Sequence, residues 1–376
     1  MCGGSNNVAA SVEMDIRPIL DRRLAGGRLT LEETVALLQS NDLLALASAA
    51  DQVRQQFHPG NEVSFIIDRN INYTNVCVAQ CGFCAFKRDV GHEEGYTLPM
   101  EVIDQKCQEL VDQGGTQVLL QGGLNPALKM DYYQNLINHI QTKFPPLIVH
   151  GFSPAEIFYL AKLSKLSVMD CLKELQAAGL QTVPGGGGEI LVDRVRRIIG
   201  KGKVLTDQWF EVMEAAQQLG MNTTATMMYG HIETTEERAL HLLRIRESGD
   251  KYGGYRAFIH WDFQPENTPL GEEVMRNPEH RLGDGFDYMK LMAVARLVLD
   301  NCPNIQVSWV TQGPKMAQVA LRFGGNDFGG TMMEENVVSA AGTTYMVGPS
   351  KAVELIRAAG FQPVKRDTFY NVIHRY

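Results

Sequence analysis

The sequence predicts an α/β protein built as one (β/α)8 barrel of the TIM type. From residue 63 onward a single pattern repeats: a short apolar strand is followed by a glycine-rich or polar turn and then by an amphipathic helix. Eight strand-like runs occur, and strands that alternate with helices favour a parallel sheet closed as a barrel. An open doubly wound sheet is the alternative, because the eighth run is poorly marked. No internal repeat, low-complexity segment or linker interrupts the pattern, so we expect one catalytic domain.

Three regions are expected along the chain: a helical cap over residues 1–62, the barrel over 63–333, and a C-terminal extension packed on the barrel over 334–376. In the cap, Thr30 followed by Glu33 is a capping-box pattern that predicts a short helix, and a second helix is expected over about 42–57. In the extension, a helix over about 350–359 is predicted to end at Gly360.

The same pattern predicts the individual strands and helices of the barrel. The predicted strands are 64–71, 117–120, 147–150, 181–183, 223–228, 257–263, 305–310 and an eighth near 320–323 or 327–329. The predicted helices begin near Pro99, Met130, Pro154, Val192, Asp207, Thr235 and Gly285.

Composition restricts the classes of function. The 376 residues carry a net charge of −8, which argues against a nucleic-acid partner. No apolar run approaches the ~18 residues of a membrane span, and the first residues do not resemble a secretory signal. Seven cysteines, an odd number, do not indicate a disulfide framework in a chain of this length. We therefore expect a cytoplasmic protein in a reducing compartment, with no membrane partner.

Three closely spaced cysteines follow the first predicted strand. Cys77, Cys81 and Cys84 lie at intervals of four and three residues in one short loop. Three thiolates can hold three irons of a cubane cluster and leave the fourth iron without a ligand from this loop. A structural zinc site is the alternative, but it requires four ligands, and no second Cys or His pair is found at a suitable spacing. The spacing indicates a cluster with one iron open for chemistry.

The loop resembles the signature of the radical S-adenosylmethionine enzymes, Cys-x3-Cys-x-aromatic-Cys, with Phe83 as the aromatic residue. The resemblance implies a [4Fe-4S] cluster whose open iron binds the amino and carboxylate groups of S-adenosylmethionine. It also implies an external low-potential electron donor of the flavodoxin or ferredoxin type. One electron from the reduced cluster would then break the sulfonium bond and give a 5′-deoxyadenosyl radical.

Several loops at the ends of predicted strands are expected to bind this cofactor, because barrel active sites form there. The resemblance implies that Gln121, Gly122 and Gly123 offer backbone carbonyls to the methionine ammonium. Ser153, before Pro154 and Glu156, is first a helix cap and second a ligand contact. Residues 185–188 are four successive glycines, interpreted as making room for a bulky ligand. Glu189 is either a partner for ribose hydroxyls or a first-turn helix charge, and Met228 is expected beside the adenine, with Glu233 bracing its loop.

The sixth strand carries the densest polar cluster. Alternation along a strand predicts that His260, Asp262 and Gln264 point into the barrel, whereas Trp261 and Phe263 point outward. Buried polar groups require partners, so a substrate-binding or catalytic role is expected for this row. Further candidates are His231 as a proton acceptor and Tyr229 and Asn267 as substrate contacts.

Longer segments resemble one branch of the family more closely. They are 72–77, 121–126, 184–191, 225–233, 263–268 and 331–336. These resemble the nucleoside cyclases of the futalosine route to menaquinone. That resemblance implies hydrogen abstraction from C4′ of dehypoxanthinyl futalosine and addition of the carbon radical to its benzoate ring.

Alternatives stay open at this point. Deazaflavin-precursor synthases and aminofutalosine synthases share the cysteine loop, and an iron–sulfur electron-transfer protein is the alternative outside enzymes. The sequence also departs from the cyclase pattern at His260, Gln217 and Gly188, where Pro, His and Ala are expected. The final proton acceptor is not ranked among His260, Asp262, His231 and Glu189.

Overall fold

The computed structural model describes residues 14–376, and its strands form a barrel with a short separate ladder beside it. The strands are β1 (Glu62–Ile66), β2 (Asp68–Ile71), β3 (Gln80–Cys81), β4 (Gln117–Leu120), β5 (Ile148–Gly151), β6 (Thr182–Val183), β7 (Gly200–Lys201), β8 (Asn222–Tyr229), β9 (Ala257–Asp262), β10 (Asn304–Gln306), β11 (Asp327–Gly330), β12 (Gln362–Arg366) and β13 (Val372–Arg375).

Helices cover the outside of this barrel. They are α1 (Arg17–Leu24), α2 (Leu31–Gln39), α3 (Leu43–Phe57), α4 (Met100–Asp112), α5 (Met130–Lys143), α6 (Pro154–Ser164), α7 (Val168–Ala177), α8 (Asp193–Ile199), α9 (Thr206–Gln218), α10 (Thr235–Tyr252), α11 (Pro269–Arg276), α12 (Gly285–Val298), α13 (Trp309–Gln312), α14 (Pro314–Ala320) and α15 (Pro349–Ala358), with a 3-10 turn at Ser339–Ala341. Within residues 14–376, no helix has both the length and the apolar character needed to cross a membrane.

The barrel is closed through its first strand, which is broken into β1 and β2. The second half, β2, pairs in parallel with β4, with Asp68 opposite Gln117. The first half, β1, pairs in parallel with β11, with Ser64 opposite Asp327. Between β4 and β11 the order is β4-β5-β6-β8-β9-β10-β11. The predicted (β/α)8 fold is confirmed, and the weak eighth strand is β11.

The seventh strand is shorter than the sequence indicates. The predicted strand 305–310 was wrong in its second half, because strand pairing ends near Val307 and a helical turn begins at Trp309. That turn directs the indole nitrogen of Trp309 toward the carbonyl of Gly330 at 3.0 Å. At the other predicted position for the eighth strand, 320–323, Ala320 ends helix α14 and the next three residues form a turn.

The helices before the barrel pack against its outer layer. Thr30 and Glu33 form the predicted capping box at the start of α2. Arg23 is buried and donates from Nε to the carbonyl of Leu297 in α12 at 2.6 Å. Residues 1–13 of the predicted cap lie outside the described residues, and the boundaries of the three regions stay a prediction.

The C-terminal extension joins the barrel sheet as well as packing on it. Strand β12 pairs in parallel with β1, with Ser64 opposite Val364, and β13 then pairs antiparallel with β12. Arg366 at the end of β12 makes two contacts with Asp327 of β11, at 2.6 and 3.1 Å. The extension is therefore attached to the barrel by backbone pairing and by a buried ion pair.

Candidate active site

A cavity of about 400 Å³ runs from the cysteine loop into the barrel interior. Eleven of the predicted site residues line it: Cys77, Cys81, Cys84, Phe83, Gln121, Gly122, Gly123, Ser153, Glu189, Met228 and Gln264. They come from five connections of the barrel and from strand β8, so the closed strand order brings together residues that are far apart in the chain. The predicted cysteine and cofactor residues thus share one space.

The cysteine loop is held by backbone pairing on two sides. Strand β3 pairs antiparallel with β7, with Cys81 opposite Gly200. The amide of Cys77 donates to the carbonyl of Arg88 at 2.9 Å. Burial raises the pKa of the Cys77 thiol and raises that of Cys81 to about 12. These thiols require a cationic centre to become thiolates, and iron supplies one.

The donor set fits a cubane cluster. Across residues 14–376, no three His, Cys, Asp or Glu side chains are grouped as a single bound metal ion requires. A four-iron cluster makes a different demand, because each thiolate binds its own iron. Three cysteines on one cavity wall could each bind one iron, and the fourth iron would face the open cavity.

Glu156 ties the cysteine loop to the two neighbouring strand ends. Its carboxylate accepts from the hydroxyl of Tyr73 at 2.6 Å, from the amide of Gly122 at 2.9 Å and from the hydroxyl of Ser153 at 2.6 Å. Burial raises the pKa of Glu156, although these donors oppose the shift. Ser153 and Glu156 also form the predicted capping box of α6.

The glycines after β4 are required by close packing against the cysteine loop. A Cβ at Gly122 would lie 2.5 Å from the ring of Tyr73, and one at Gly123 would lie 2.2 Å from the carbonyl oxygen of Val76. The carbonyls of Gly122 and Gly123 accept no hydrogen bond from the described residues. They therefore stay available to a donor in the cavity, which fits the ammonium contact implied by the resemblance.

The glycine run before Glu189 has a packing role that the sequence analysis did not anticipate. A Cβ at Gly185 would lie 2.6 Å from the carbonyl oxygen of Thr224, and one at Gly188 would lie 2.6 Å from that of Thr226. Both contacts are with β8. At these two positions the glycines let this segment approach β8, and the interpretation of the run as room for a ligand stays a prediction.

Glu189 lines the cavity as half of a buried ion pair. Lys203 lies 2.9 Å from one carboxylate oxygen, and Arg196 lies 3.6 Å from the other. Burial lowers the pKa of Lys203, but the charges of Glu189 and Cys81 raise it above its usual value. The ammonium of Lys203 also lies 5.2 Å from the ring of Phe83. No sequence motif points to Lys203, which places a positive charge beside the cysteines.

The sixth strand is turned the opposite way from the prediction. Ile259, Trp261 and Phe263 line the cavity, and they continue the inward row of Thr226 and Met228 on the neighbouring strand. The predicted inward direction of residues 260 and 262 was therefore wrong.

The polar residues of this strand find partners in the outer layer instead. His260 is fully buried against Tyr288 of α12, with ring centroids 4.8 Å apart, and burial lowers its pKa to about 4. Asp262 accepts a hydrogen bond from the side chain of Gln312, and burial raises its pKa to about 6. Gln264 lies beyond the strand end and lines the cavity, as predicted.

Three further candidates lie outside the cavity wall. His231 is buried against Glu233, which also accepts from the backbone amides of Gly230 and His231 and pairs with Arg238 at 2.7 Å. Glu233 thus braces the loop, and His231 is part of that brace. Tyr229 is fully buried, with Arg238 over its ring at 5.0 Å.

Asn267 is exposed and adopts a positive φ of 58°. Its amide donates to the carbonyl of Ala340 at 3.1 Å. Placement as a cavity contact was wrong for Tyr229, His231 and Asn267, because each is used in the local structure of a turn or an outer face.

The site and fold together define a barrel enzyme with a three-cysteine loop at the mouth of its cavity. Two family models match the chain: the radical SAM superfamily over residues 71–245 and the CofH/MqnC C-terminal region over residues 252–375. The chain belongs to the radical S-adenosylmethionine family and, within it, to the CofH/MqnC group.

Curated relatives cover nearly the whole chain. It is 47% identical to a cyclic dehypoxanthine futalosine synthase of Halalkalibacterium halodurans, over 96% of each chain. It is 41% identical to the protein of the same name from Streptomyces coelicolor, over 96% of this chain and 90% of the relative. It is also 41% identical to a 5-amino-6-(D-ribitylamino)uracil–L-tyrosine 4-hydroxyphenyl transferase of Methanococcoides burtonii, over 94% and 98%.

Solved structures share the fold at low identity. Methylornithine synthase (PylB) matches with a TM-score of 0.72 and 20% identity, over 92% of this chain and 97% of that one. The hydrogenase maturase HydG matches with a TM-score of 0.73 and 16% identity, over 94% and 77%. These likenesses support the barrel architecture alone.

Proposed function

We propose that this protein is a radical S-adenosylmethionine cyclase that converts dehypoxanthinyl futalosine to cyclic dehypoxanthinyl futalosine in menaquinone biosynthesis. The observation that carries the proposal is the opening of the three-cysteine loop onto the same cavity as the expected cofactor contacts. The relative with 47% identity over 96% of each chain supports the choice of reaction.

One group of cavity residues is proposed to bind the cluster and the cofactor. Cys77, Cys81 and Cys84 would hold a [4Fe-4S] cluster, and S-adenosylmethionine bound there supplies the 5′-deoxyadenosyl radical. The free carbonyls of Gly122 and Gly123 would accept the ammonium of the cofactor. Gln121, Ser153, Glu189 and Met228 would form the rest of the cofactor wall, with Phe83 beside the cluster.

The barrel supplies an environment suited to a carbon radical. Trp261, Phe263 and Trp309 line the cavity together with Val337 and Val338, so much of the wall is apolar. Such a wall excludes water and holds the reacting ribose and benzoate carbons in contact. Gln264 adds a polar group at the end of the sixth strand and is proposed to bind substrate.

A second candidate is supported by one observation. The transferase of Methanococcoides burtonii is 41% identical over 98% of its length, as similar as one of the two synthases. The second proposal is therefore a coupling of tyrosine with 5-amino-6-(D-ribitylamino)uracil in the same cavity.

One experiment separates the two. The protein is loaded with iron and sulfide without oxygen, reduced with dithionite and given S-adenosylmethionine with either dehypoxanthinyl futalosine or tyrosine plus 5-amino-6-(D-ribitylamino)uracil. We expect dehypoxanthinyl futalosine to drive release of 5′-deoxyadenosine and formation of the cyclic product. Release driven only by the second pair would refute the cyclase proposal and support the transferase. No release with either pair would refute both.

A further inference from the structure

Glu335 is a partly buried carboxylate that lines the cavity from the loop after β11. Its Oε1 accepts from the backbone amides of Val337 and Val338, both at 2.7 Å. Its Oε2 accepts from the side-chain amide of Asn70 at 3.1 Å. Glu335, Asn70, Val337 and Val338 all line the cavity. The carboxylate therefore lies on the cavity wall between the amide of Asn70 and the apolar side chains of Val337 and Val338.

The adjacent Glu334 points away from the cavity. It pairs with Lys106 and with Arg69, the latter at 3.0 Å, on the outer side of the first strand. Two consecutive glutamates thus have opposite roles: Glu334 fastens the loop to the barrel, and Glu335 has no cationic partner among the described residues. Burial raises the pKa of Glu335, as it does for a carboxyl without a counter-charge.

Asn70 supplies a second acceptor that has no donor. Its Nδ2 donates to Glu335, which fixes the orientation of the amide, and its Oδ1 is buried with no hydrogen-bond partner among residues 14–376. Asn70 is only 3% exposed. A buried acceptor without a partner costs about 1–3 kcal/mol, so its retention on a cavity wall indicates a ligand that satisfies it.

The remaining hydrogen-bonding capacity of the pair defines the ligand chemistry. A carboxylate has about four acceptor positions, and three of those on Glu335 are filled. One position on Glu335 and the Oδ1 of Asn70 are left, and both require donors. Neighbouring acceptors of this kind match two hydroxyl groups on adjacent carbons.

We propose that Asn70 and Glu335 bind hydroxyl groups of the sugar portion of the substrate. The proposal rests on the proposed function for the identity of that sugar, a ribose. The contact is at the end of the first strand, so it would fix the sugar between the first and sixth strands, opposite Trp261 and Gln264.

The test measures binding to the full-length, cluster-loaded protein with S-adenosylmethionine, by calorimetry without oxygen or reductant. Glu335→Gln keeps an oxygen for the two backbone amides and is expected to weaken binding of dehypoxanthinyl futalosine at least about tenfold, the usual loss for a hydrogen bond to a charged group. Glu334→Gln is the matched control, because it changes the same loop outside the cavity and should leave the affinity within about twofold.

Substrate analogues that each lack one sugar hydroxyl complete the test. One analogue lacks the hydroxyl that Asn70 and Glu335 bind. The wild-type protein should bind this analogue as weakly as the Glu335→Gln variant binds the full substrate. The Glu335→Gln variant should bind this analogue no more weakly than the wild-type protein does. An equal loss for every analogue, or an equal loss in Glu334→Gln, would overturn the proposal.

The same variants are titrated with 5-amino-6-(D-ribitylamino)uracil, whose ribityl chain also carries adjacent hydroxyls. If the wild-type protein binds only this compound, the cyclase proposal fails, and the tenfold loss in Glu335→Gln still supports the hydroxyl site. If neither compound binds the wild-type protein, both proposals are refuted.

Discussion

Replacing Arg366 with Ala tests how the C-terminal extension is fastened to the barrel. The guanidinium of Arg366 contacts both oxygens of Asp327, and their side chains are 5% and 0% exposed. Its Cζ also lies 3.8 Å from the ring centroid of Tyr370. Among residues 14–376, the substitution leaves the buried Asp327 with only the hydroxyl of Ser64 and the amide of Gly329 as donors.

Breaking a buried pair from one side costs about 3–5 kcal/mol, because the remaining charge is uncompensated. Natural domains are stable by about 5–15 kcal/mol, so a large fraction of the free energy of unfolding should be lost. Urea unfolding, followed by tryptophan fluorescence, measures it.

The matched control is Arg375→Ala. Arg375 of β13 pairs with Glu62 of β1 at 2.7 Å, across the intervening strand β12, but the two side chains are 63% and 42% exposed. An exposed pair contributes about 0–1 kcal/mol. The double variant Arg366→Met with Asp327→Asn should recover most of the stability, because no unpaired charge is left. The reasoning is refuted if Arg366→Ala costs no more than Arg375→Ala.

Three other predictions concern the cavity. Cys81→Ala should abolish the four-iron absorbance after loading, whereas Cys302→Ala, a buried cysteine away from the cavity, should retain it; a four-iron signal in the first variant would contradict the ligand assignment. Burial raises the pKa of Asp68 to about 6, so its contribution to stability is full below about pH 4 and is lost as the pH rises through 6. Relative to Asp68→Asn, the wild type should lose roughly 3 kcal/mol of its free energy of unfolding over that pH range, as measured by urea unfolding. A difference between the two proteins that does not change with pH would contradict this prediction. Lys203→Gln removes a positive charge beside Cys81 and should make the reduction potential of the cluster more negative, measured by redox titration; an unchanged or higher potential would disprove the effect.

The chain order of the barrel and the cysteine site could be predicted because both depend on local patterns. Alternating strands and helices follow from periodicity, and the three cysteines follow from spacing alone. The capping residues Thr30 and Ser153 were predictable for the same reason, since a cap involves residues only three positions apart.

The directions in which the side chains of the sixth strand point could not be predicted from local patterns. The rule that buried polar groups point to a ligand assumes that the outer face is purely apolar. Here the outer face offers partners to His260 and Asp262, namely the carbonyl of Tyr288 and the amide of Gln312. These partners come from later in the chain, so the pattern within the strand does not contain the information.

Residues that tertiary structure brings to the cavity from distant segments also could not be predicted from sequence patterns. Lys203 reaches the cysteine loop because β7 pairs with β3, two strands of two residues each. Glu335 reaches Asn70 because the loop after β11 runs along the first strand. Both contacts depend on pairing between distant segments, which periodicity does not reveal.

The way in which the cysteine loop is held has a consequence for how the protein behaves after exposure to oxygen. Residues 74–88 are held by the pairing of β3 with β7 and by bridges from Thr74 to Thr97 and from Val76 to Arg88, and Glu156 accepts a hydrogen bond from the adjoining Tyr73. These restraints are made by the polypeptide itself and do not pass through iron. We therefore expect the loop to keep its fold when no cluster is bound, so that iron and sulfide could be supplied to the three cysteines without refolding.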